Sequence, residues 1–459
     1  MINATRKQVQ QQRIDQEIPA TNSLRFFNLL TSPELLNEVE AYLPEHRERL
    51  FPPTETLSLF LTQVMNADSS CQNIVDQAAI QRMHMGLPLC STHTGGYCKA
   101  RQRLPLDLIT HLTRFLGSRL SEQTPVEWRW RQRRVLLADG TSVSMPDTVA
   151  NQTAFPQQGS QLPGLGFPIC RIVGITCLGS GALLNAAIGK FNGKGSGETG
   201  LLRSIQDTLQ PGDILLGDAF YATYFFMAEM QARGVDLLMA QQGSRRRSTD
   251  FRRGHRLASR DHLICIDKPV AKPDWMSAVA YEAAPSSITL REFKASGRIL
   301  VTTLCDASLS KSELSDLYER RWHVELDIRN IKDTMGMNIL GCKTPAMAIK
   351  EIWVTLLAYN LIRLVMAQSA LLAQVLPREL SFKHCLQLWV AWRHIGRKRE
   401  VFEYLQLFEL MAQQRVGKRP KRVEPRAVKR RPKAYPLLRK PRSEARQRVL
   451  DFGHPKKLK

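Results

Sequence analysis

Between residues 135 and 240 the sequence alternates short, wholly apolar runs with segments of helical spacing, which restricts this stretch to an α/β layer architecture. Val135-Leu136-Leu137-Ala138 reads as a buried strand that ends in a turn at Asp139-Gly140-Thr141. Further strands are expected over 172–178 and 182–188, followed by a helix over about 198–209. Pro211-Gly212 marks a turn, and Ile214-Leu215-Leu216-Gly217 is another buried strand, ending at Asp218. A helix over 224–233 leads to a strand over 235–240. A single aspartate at a strand end is ordinarily a turn or cap residue. Here Asp139 and Asp218 both follow apolar strands, so both carboxylates can emerge at one sheet edge.

A third carboxylate comes from a later helix. Ser310 and Glu313 form a Ser-x-x-Glu capping box opening a helix that is expected to run to about Met335. At 100° per residue, Leu317, Val324, Ile328, Ile331 and Met335 fall within roughly 60° and form the core-facing stripe. Tyr318, Arg321, Glu325 and Lys332 form a second band, also roughly 60° wide, at the rim of that stripe. Glu319, His323, Asp327, Asn330 and Asp333 largely point to the other side. Asp139, Asp218 and Glu325 together make an acidic cluster, which repels itself unless protons or cations neutralise it. Oxygen-only donors suit Mg²⁺ or Mn²⁺ rather than zinc.

Charge points to the partner. At 459 residues the chain is expected to form two to four domains, and 65 Lys plus Arg against 42 acids give a net +23 and a pI near 9.9. Such an excess suits a polyanion, because each neutralised phosphate releases counterions. Residues 415–459 hold 18 Lys plus Arg, three acids and six prolines, so 18 − 3 = +15 of that charge sits in a tail expected to be largely disordered when free. Residues 241–305 read as a β-rich insertion presenting arginines, among them Arg245, Arg246, Arg247, Arg252 and Arg253. Residues 1–125 read as a helical domain in which Lys99, Arg101 and Arg103, beside Tyr97, either meet a phosphate backbone or form a solvated connection, the second being what these residues favour on their own. The remaining expected units are 126–240 and 306–370 for the α/β core, with the glutamate helix and its successor in the latter, and 371–414 as a helical C-terminal region.

Other classes fit poorly. The N-terminus lacks the apolar core of a signal peptide, and the apolar stretch 352–376 is interrupted by Asn360, Arg363, Gln368 and Gln374, so it reads as a buried helix. Nine cysteines without a Cys-x-x-Cys pair suit a reducing compartment. The stretch 189–196 does not match Gly-x4-Gly-Lys-Ser/Thr, which argues against a nucleotide cofactor.

Tyr318-x2-Arg321-x3-Glu325-x6-Lys332 resembles the Tyr-Arg-Glu-Lys signature of the insertion sequence family 4 transposases, a group of DDE transposases. Asp139-Gly140-Thr141-Ser142 and Asp218-Ala219-Phe220-Tyr221 look like the family's first and second aspartate motifs, with Ala219 where many relatives carry Arg. The 97–105 stretch, Ala358-Tyr359-Asn360-Leu361-Ile362-Arg363 and the basic run 432–436 also resemble the family, so the likeness spans about 90–450.

This resemblance implies a ribonuclease-H-like catalytic core, a helical N-terminal DNA-binding domain and a helical, basic C-terminal region. It implies cut-and-paste transposition in the bacterial cytoplasm beside the nucleoid, through a hairpin at the transposon end. The expected catalysis uses two Mg²⁺ ions, for which Mn²⁺ substitutes, held by Asp139 as bridging ligand with Asp218 and Glu325 on one ion each. Tyr318, Arg321 and Lys332 are expected to hold terminal phosphates, and Trp275 is a candidate platform for a base that leaves the stack. The expected partners are double-stranded DNA, at the terminal inverted repeats and the target, and a second copy of the chain once DNA is bound. Two rival readings are a nuclease of the same fold and an inactive DNA-binding protein derived from a transposase.

Overall fold

The computed structural model describes residues 24–30, 32–43, 50–87, 90–193, 195–246, 249–393, 401–417 and 438–455. Its strands are β1 (Val135–Ser144), β2 (Ile169–Cys177), β3 (Leu183–Lys190), β4 (Ile214–Gly217), β5 (Asp236–Ala240), β6 (His255–Ala258), β7 (Asp261–Asp267), β8 (Ser287–Ala295) and β9 (Arg298–Thr302). Its helices of seven residues or more begin with α1 (Pro33–Tyr42), α2 (Pro53–Met65), α3 (Cys71–His84), α4 (Gly95–Arg103) and α5 (Leu106–Glu122). Next come α6 (Glu198–Ser204), α7 (Tyr224–Ala232), α8 (Lys311–Glu319) and α9 (Trp322–Arg329). The last are α10 (Pro345–Leu372), α11 (Phe382–Arg393), α12 (Val401–Ala412) and α13 (Arg442–Phe452).

All nine strands lie in one mixed sheet of order β3-β2-β1-β4-β5-β9-β8-β7-β6. The pairs β1–β4 and β4–β5 are parallel, and the wholly apolar residues of β4 are buried, as a parallel strand covered on both faces requires. Along β1 the side chains alternate between faces: Leu136 and Ala138 pack with α6 and α7, while Val135 and Leu137 pack under α8 and α9. The strand does not turn at Asp139. Asp139, Gly140 and Thr141 continue the antiparallel ladder opposite Gly174, Val173 and Ile172 of β2, and that continuing partner overrides the local turn preference of Asp-Gly.

The β-rich segment continues the core sheet. β9 pairs antiparallel with β5, and β8, β7 and β6 extend the same sheet outward. Arg291 of β8 locks this extension: its guanidinium donates to both oxygens of the buried Asp261 (2.8 and 2.6 Å) and to the carbonyl oxygens of Asp306 and Leu309.

The N-terminal helices share a core with the C-terminal ones instead of forming an isolated unit. Leu108, Ile109, Leu112 and Leu116 of α5 belong to one apolar cluster with Ile352, Leu356, Tyr359 and Ile362 of α10 and with Phe408 of α12. Asn360, at the centre of α10, accepts from the Leu183 amide and donates to the carbonyls of Leu183 and Thr113, pinning β3 and α5 together. Gly117 makes that approach possible, because a Cβ there would lie 1.9 Å from the Leu183 carbonyl oxygen. Gly117→Ala is therefore expected to destabilise the protein by about 1–3 kcal/mol, read as a lowered denaturant midpoint.

Among the described residues α10 is the one helix long and apolar enough to cross a bilayer, and most of it is buried inside the protein. The expected tail disorder is corrected in part. The basic run 432–436 lies outside the described residues, but α13 is helical, and Arg442 docks it: its Nη1 donates to Asp147 and to the Gly166 carbonyl, with the guanidinium 3.8 Å from the Phe167 ring centroid.

Candidate active site

β1 pairs with β4 only over Val135–Leu137, so β1 runs on past the end of its parallel neighbour. Asp139 stands at the start of that overrun, and Asp218 follows the last residue of β4, capping the turn Ala219–Tyr221. Helix α9 brings Glu325 to the same place. Arg321 Nη2 donates to Glu325 Oε1 at 2.8 Å, while Arg321 Nη1 lies 3.8 Å from Asp139 Oδ2. One guanidinium thus spans the first and third carboxylates. Burial pushes the Asp139 carboxyl up to about 6; the Gly140 amide and Arg321 oppose that rise, and Glu198 and Glu325 add to it.

The helix that carries Glu325 is not continuous. The Ser310 hydroxyl caps α8 through the Glu313 amide as expected, but the Glu313 carboxylate pairs with Arg131. The amides of Arg320, Arg321, His323 and Val324 bond three residues back instead of four, so the chain is overwound between α8 and α9. It then underwinds into a π-turn, Asn330–Thr334. Leu317, Val324 and Ile331 are buried as the wheel predicts.

Asp327 corrects that wheel. It is fully buried instead of facing outward. Its oxygens accept from Arg363 (2.5 Å), from both terminal nitrogens of Arg378 (3.0 and 2.9 Å) and from Thr176 (3.3 Å). Burial alone would raise this carboxyl; Arg378 and Arg363 overcome it and hold it below the usual carboxylate range. The change of winding and two partners from distant segments lie outside what a uniform single-helix projection can show.

His323 is half-buried beside this cluster, and burial, reinforced by Arg378, pushes its imidazole down to about 4. The folded state therefore holds it neutral, whereas the unfolded chain protonates it near 6.5. Its contribution to stability is complete above that value and is lost as pH falls towards about 4. Thermal melts should show a flatter dependence over that window in His323→Gln than in the wild type.

Tyr318 is buried, and Lys332 Nζ donates to the Ser142 carbonyl on β1 at 2.9 Å, so the expected polar band does face β1. The other predicted positions separate. Lys99 and Arg103 are exposed on α4, but Arg101 is buried and donates to Gln63 and Cys71, packing on Phe60 and Tyr97. Arg101 is thus a brace of the helical region and not a surface cation. Arg252 and Arg253 are almost fully exposed and share Asp250, and Arg245 is held by the buried Glu292. Arg246 ends a short helix, Gly243–Arg246, and Arg247 lies outside the described residues. Trp275 is half-exposed with the Arg203 guanidinium 3.6 Å from its ring centroid.

Four further residues stand at this site to which the sequence assigns no role, although Phe220 and Tyr221 fall within the second aspartate motif. Phe220 and Trp322 are 70% and 59% exposed, two residues after Asp218 and directly after Arg321, where an apolar side chain at a polar rim is the available signal. Glu198 is brought against β1 by folding alone, whereas Tyr221 closes the motif that begins at Asp218.

Among the described residues no three His, Cys, Asp or Glu side chains are gathered closely enough to hold a metal as they stand, and Arg321 reaches towards both Asp139 and Glu325. The donor set nevertheless fits a hard divalent cation: it is all oxygen, and Asp139 is desolvated beside two further carboxylates.

The sequence matches the transposase DDE domain family over residues 130–361, just over half of the chain. It is 27% identical over 358 residues to the transposase InsG for insertion sequence element IS4 of Escherichia coli (strain K12), covering 74% of this chain and 78% of that one. In three dimensions it is similar to the piggyBac transposase seen by cryo-EM in a synaptic complex with hairpin DNA, with a TM-score of 0.44, 10% identity and 88% of each chain covered. The chain belongs to the DDE transposase family and is a bacterial insertion sequence transposase of the IS4 type.

Proposed function

We propose that this transposase binds the ends of its own element and catalyses strand cleavage and strand transfer at a site formed by Asp139, Asp218 and Glu325. The observation that carries the proposal is Arg321 reaching towards both Asp139 and Glu325 at the end of β4. The strands β3-β2-β1-β4-β5 are read as a ribonuclease-H-like core, extended by β9-β8-β7-β6. Two divalent cations, Mg²⁺ or Mn²⁺, held by the three carboxylates would supply polarisation of the attacking and leaving oxygens.

The rest is done by side chains of the chain. Arg321 is placed to exchange Glu325 for a DNA phosphate, the geometry for which a forked guanidinium is suited. Burial raises the Tyr318 hydroxyl above its ordinary range, so it stays protonated and can donate to a phosphate oxygen. Lys332 ties the glutamate helix to β1 and leaves two ammonium protons for the backbone of a bound strand. Arg252, Arg253, Lys99 and Arg103 provide an exposed basic surface for the flanking duplex, with the N-terminal helices as a DNA-binding region. Phe220 and Trp322 offer exposed rings for a base displaced in a hairpin intermediate, and Trp275 a half-exposed ring already covered on one side by Arg203. Cutting two ends together calls for a homodimer on DNA.

The test is incubation of DNA carrying the element's own ends with the full chain in Mg²⁺, in Mn²⁺ and in chelator. Metal-dependent nicks at the ends together with joined products are expected. Nicks without joining would shift the reading to a nuclease, and binding without nicks in either metal to an inactive DNA-binding protein.

A further inference from the structure

We propose that Glu198 is a fourth carboxylate of the active site, facing the divalent cation beside Asp139, with the Tyr221 hydroxyl accepting from one of the cation's waters. This rests on the cation reading given above and adds two residues to it. Glu198 opens α6, directly after the loop that follows β3. Its carboxylate lies flat on β1: a Cβ at Gly140 would stand 2.5 Å from Glu198 Cδ and 2.7 Å from its Oε1. Gly140 is not in the left-handed region, so its glycine supplies space and not an unusual backbone angle.

Two independent features point to a ligand at this corner. Glu198 pairs among the described residues with Arg171, but at 3.9 Å, beyond hydrogen-bonding distance. Arg171 is committed elsewhere, donating to the Ser196 carbonyl and lying over the Phe191 ring. Tyr221 is 1% exposed, and its hydroxyl has no hydrogen-bond partner among the described residues. The Ala219–Tyr221 turn packs against α6, and the charges of Glu198, Asp139 and Asp218 all act on that hydroxyl. A buried unsatisfied polar group is rare and costs about 1–3 kcal/mol, and an absent ion or ordered water is a recognised reason for one. A purely structural Glu198 would close on Arg171, and a purely structural Tyr221 would find a hydrogen-bond partner. Both are instead left open where α6 packs against β1 and the Ala219–Tyr221 turn. A hydrated cation would satisfy both: its charge compensates Glu198 and Asp139, and one of its waters donates a hydrogen bond to the Tyr221 hydroxyl oxygen.

The experiment is a Mn²⁺ titration of the full chain without DNA, followed by electron paramagnetic resonance, for the wild type, Glu198→Gln, Gly140→Ala and Tyr221→Phe. Melting curves in chelator check folding. Glu198→Gln is nearly isosteric at a part-exposed side chain, and an affinity loss of about tenfold or more is expected. Gly140→Ala keeps the charge but displaces the carboxylate, and should reproduce the loss. Tyr221→Phe should weaken Mn²⁺ while leaving the chelator melt unchanged or raised. Wild-type Mn²⁺ affinity in folded Glu198→Gln or folded Gly140→Ala overturns the proposal. Glu198-dependent Mn²⁺ binding in a wild type that never cuts DNA overturns the strand-transfer reading and leaves this one standing. Cleavage with Glu198-independent Mn²⁺ binding does the reverse.

Discussion

Asp327→Ala is expected to lower the stability of the chain by about 3–5 kcal/mol, seen as a large fall in the urea midpoint followed by tryptophan fluorescence. The reason lies in what remains. Asp327 is fully buried between Arg363 and Arg378, which are 3% and 9% exposed, and removing the carboxylate strands two cations in the interior. Arg378 also donates to the carbonyls of Leu178 and Cys177, and Arg363 to the Tyr359 hydroxyl, which in turn donates to the Gly181 carbonyl. The cluster therefore ties the glutamate helix to the β2–β3 turn, to α10 and to the segment after it. Asp327→Asn keeps the shape but not the charge, and should fall between the wild type and Asp327→Ala. A loss under about 1 kcal/mol for Asp327→Ala would mean that water reaches the arginines, contrary to the burial described.

The second large effect is on chemistry. Glu325→Gln should reduce metal-dependent end cleavage on the order of 10³-fold or more, given that losing even one neutral transition-state donor costs 10²–10³-fold. DNA affinity and melting temperature should stay near wild type. The amide oxygen of a glutamine can still accept from Arg321, so the local structure survives while the negative charge does not. Equal cleavage by the variant, measured in single turnover on end-bearing DNA, would remove Glu325 from the site. A fall in both binding and melting temperature would make its role structural.

Much of this arrangement was legible in the sequence because it depends on local pattern. Wholly apolar runs gave β4 and the start of β1, and the capping box gave the first turn of α8. Glu325 could be placed near Asp139 because a core stripe fixes which flank of a helix meets the sheet. What escaped depends on partners far away in the chain. The Asp-Gly-Thr turn expected after Ala138 became strand because β2 continues beside it. Asp327 was assigned to the outside because its arginines lie 36 and 51 residues further on. Arg101 looked like a phosphate contact until Gln63 and Cys71 enclosed it. The family-like stretch 358–363 proves to be scaffolding, with Asn360 and Arg363 bracing β3 and Asp327.

The pairing of β9 with β5 limits how such a protein can be trimmed. A miniature version that omits residues 241–305 would expose the amides and carbonyls of Leu238, Met239 and Ala240 along an apolar strand next to the reaction centre, a template for aggregation. Shortening is better directed at the outer β6–β7 hairpin, leaving β8 and β9 in place to seal the strand.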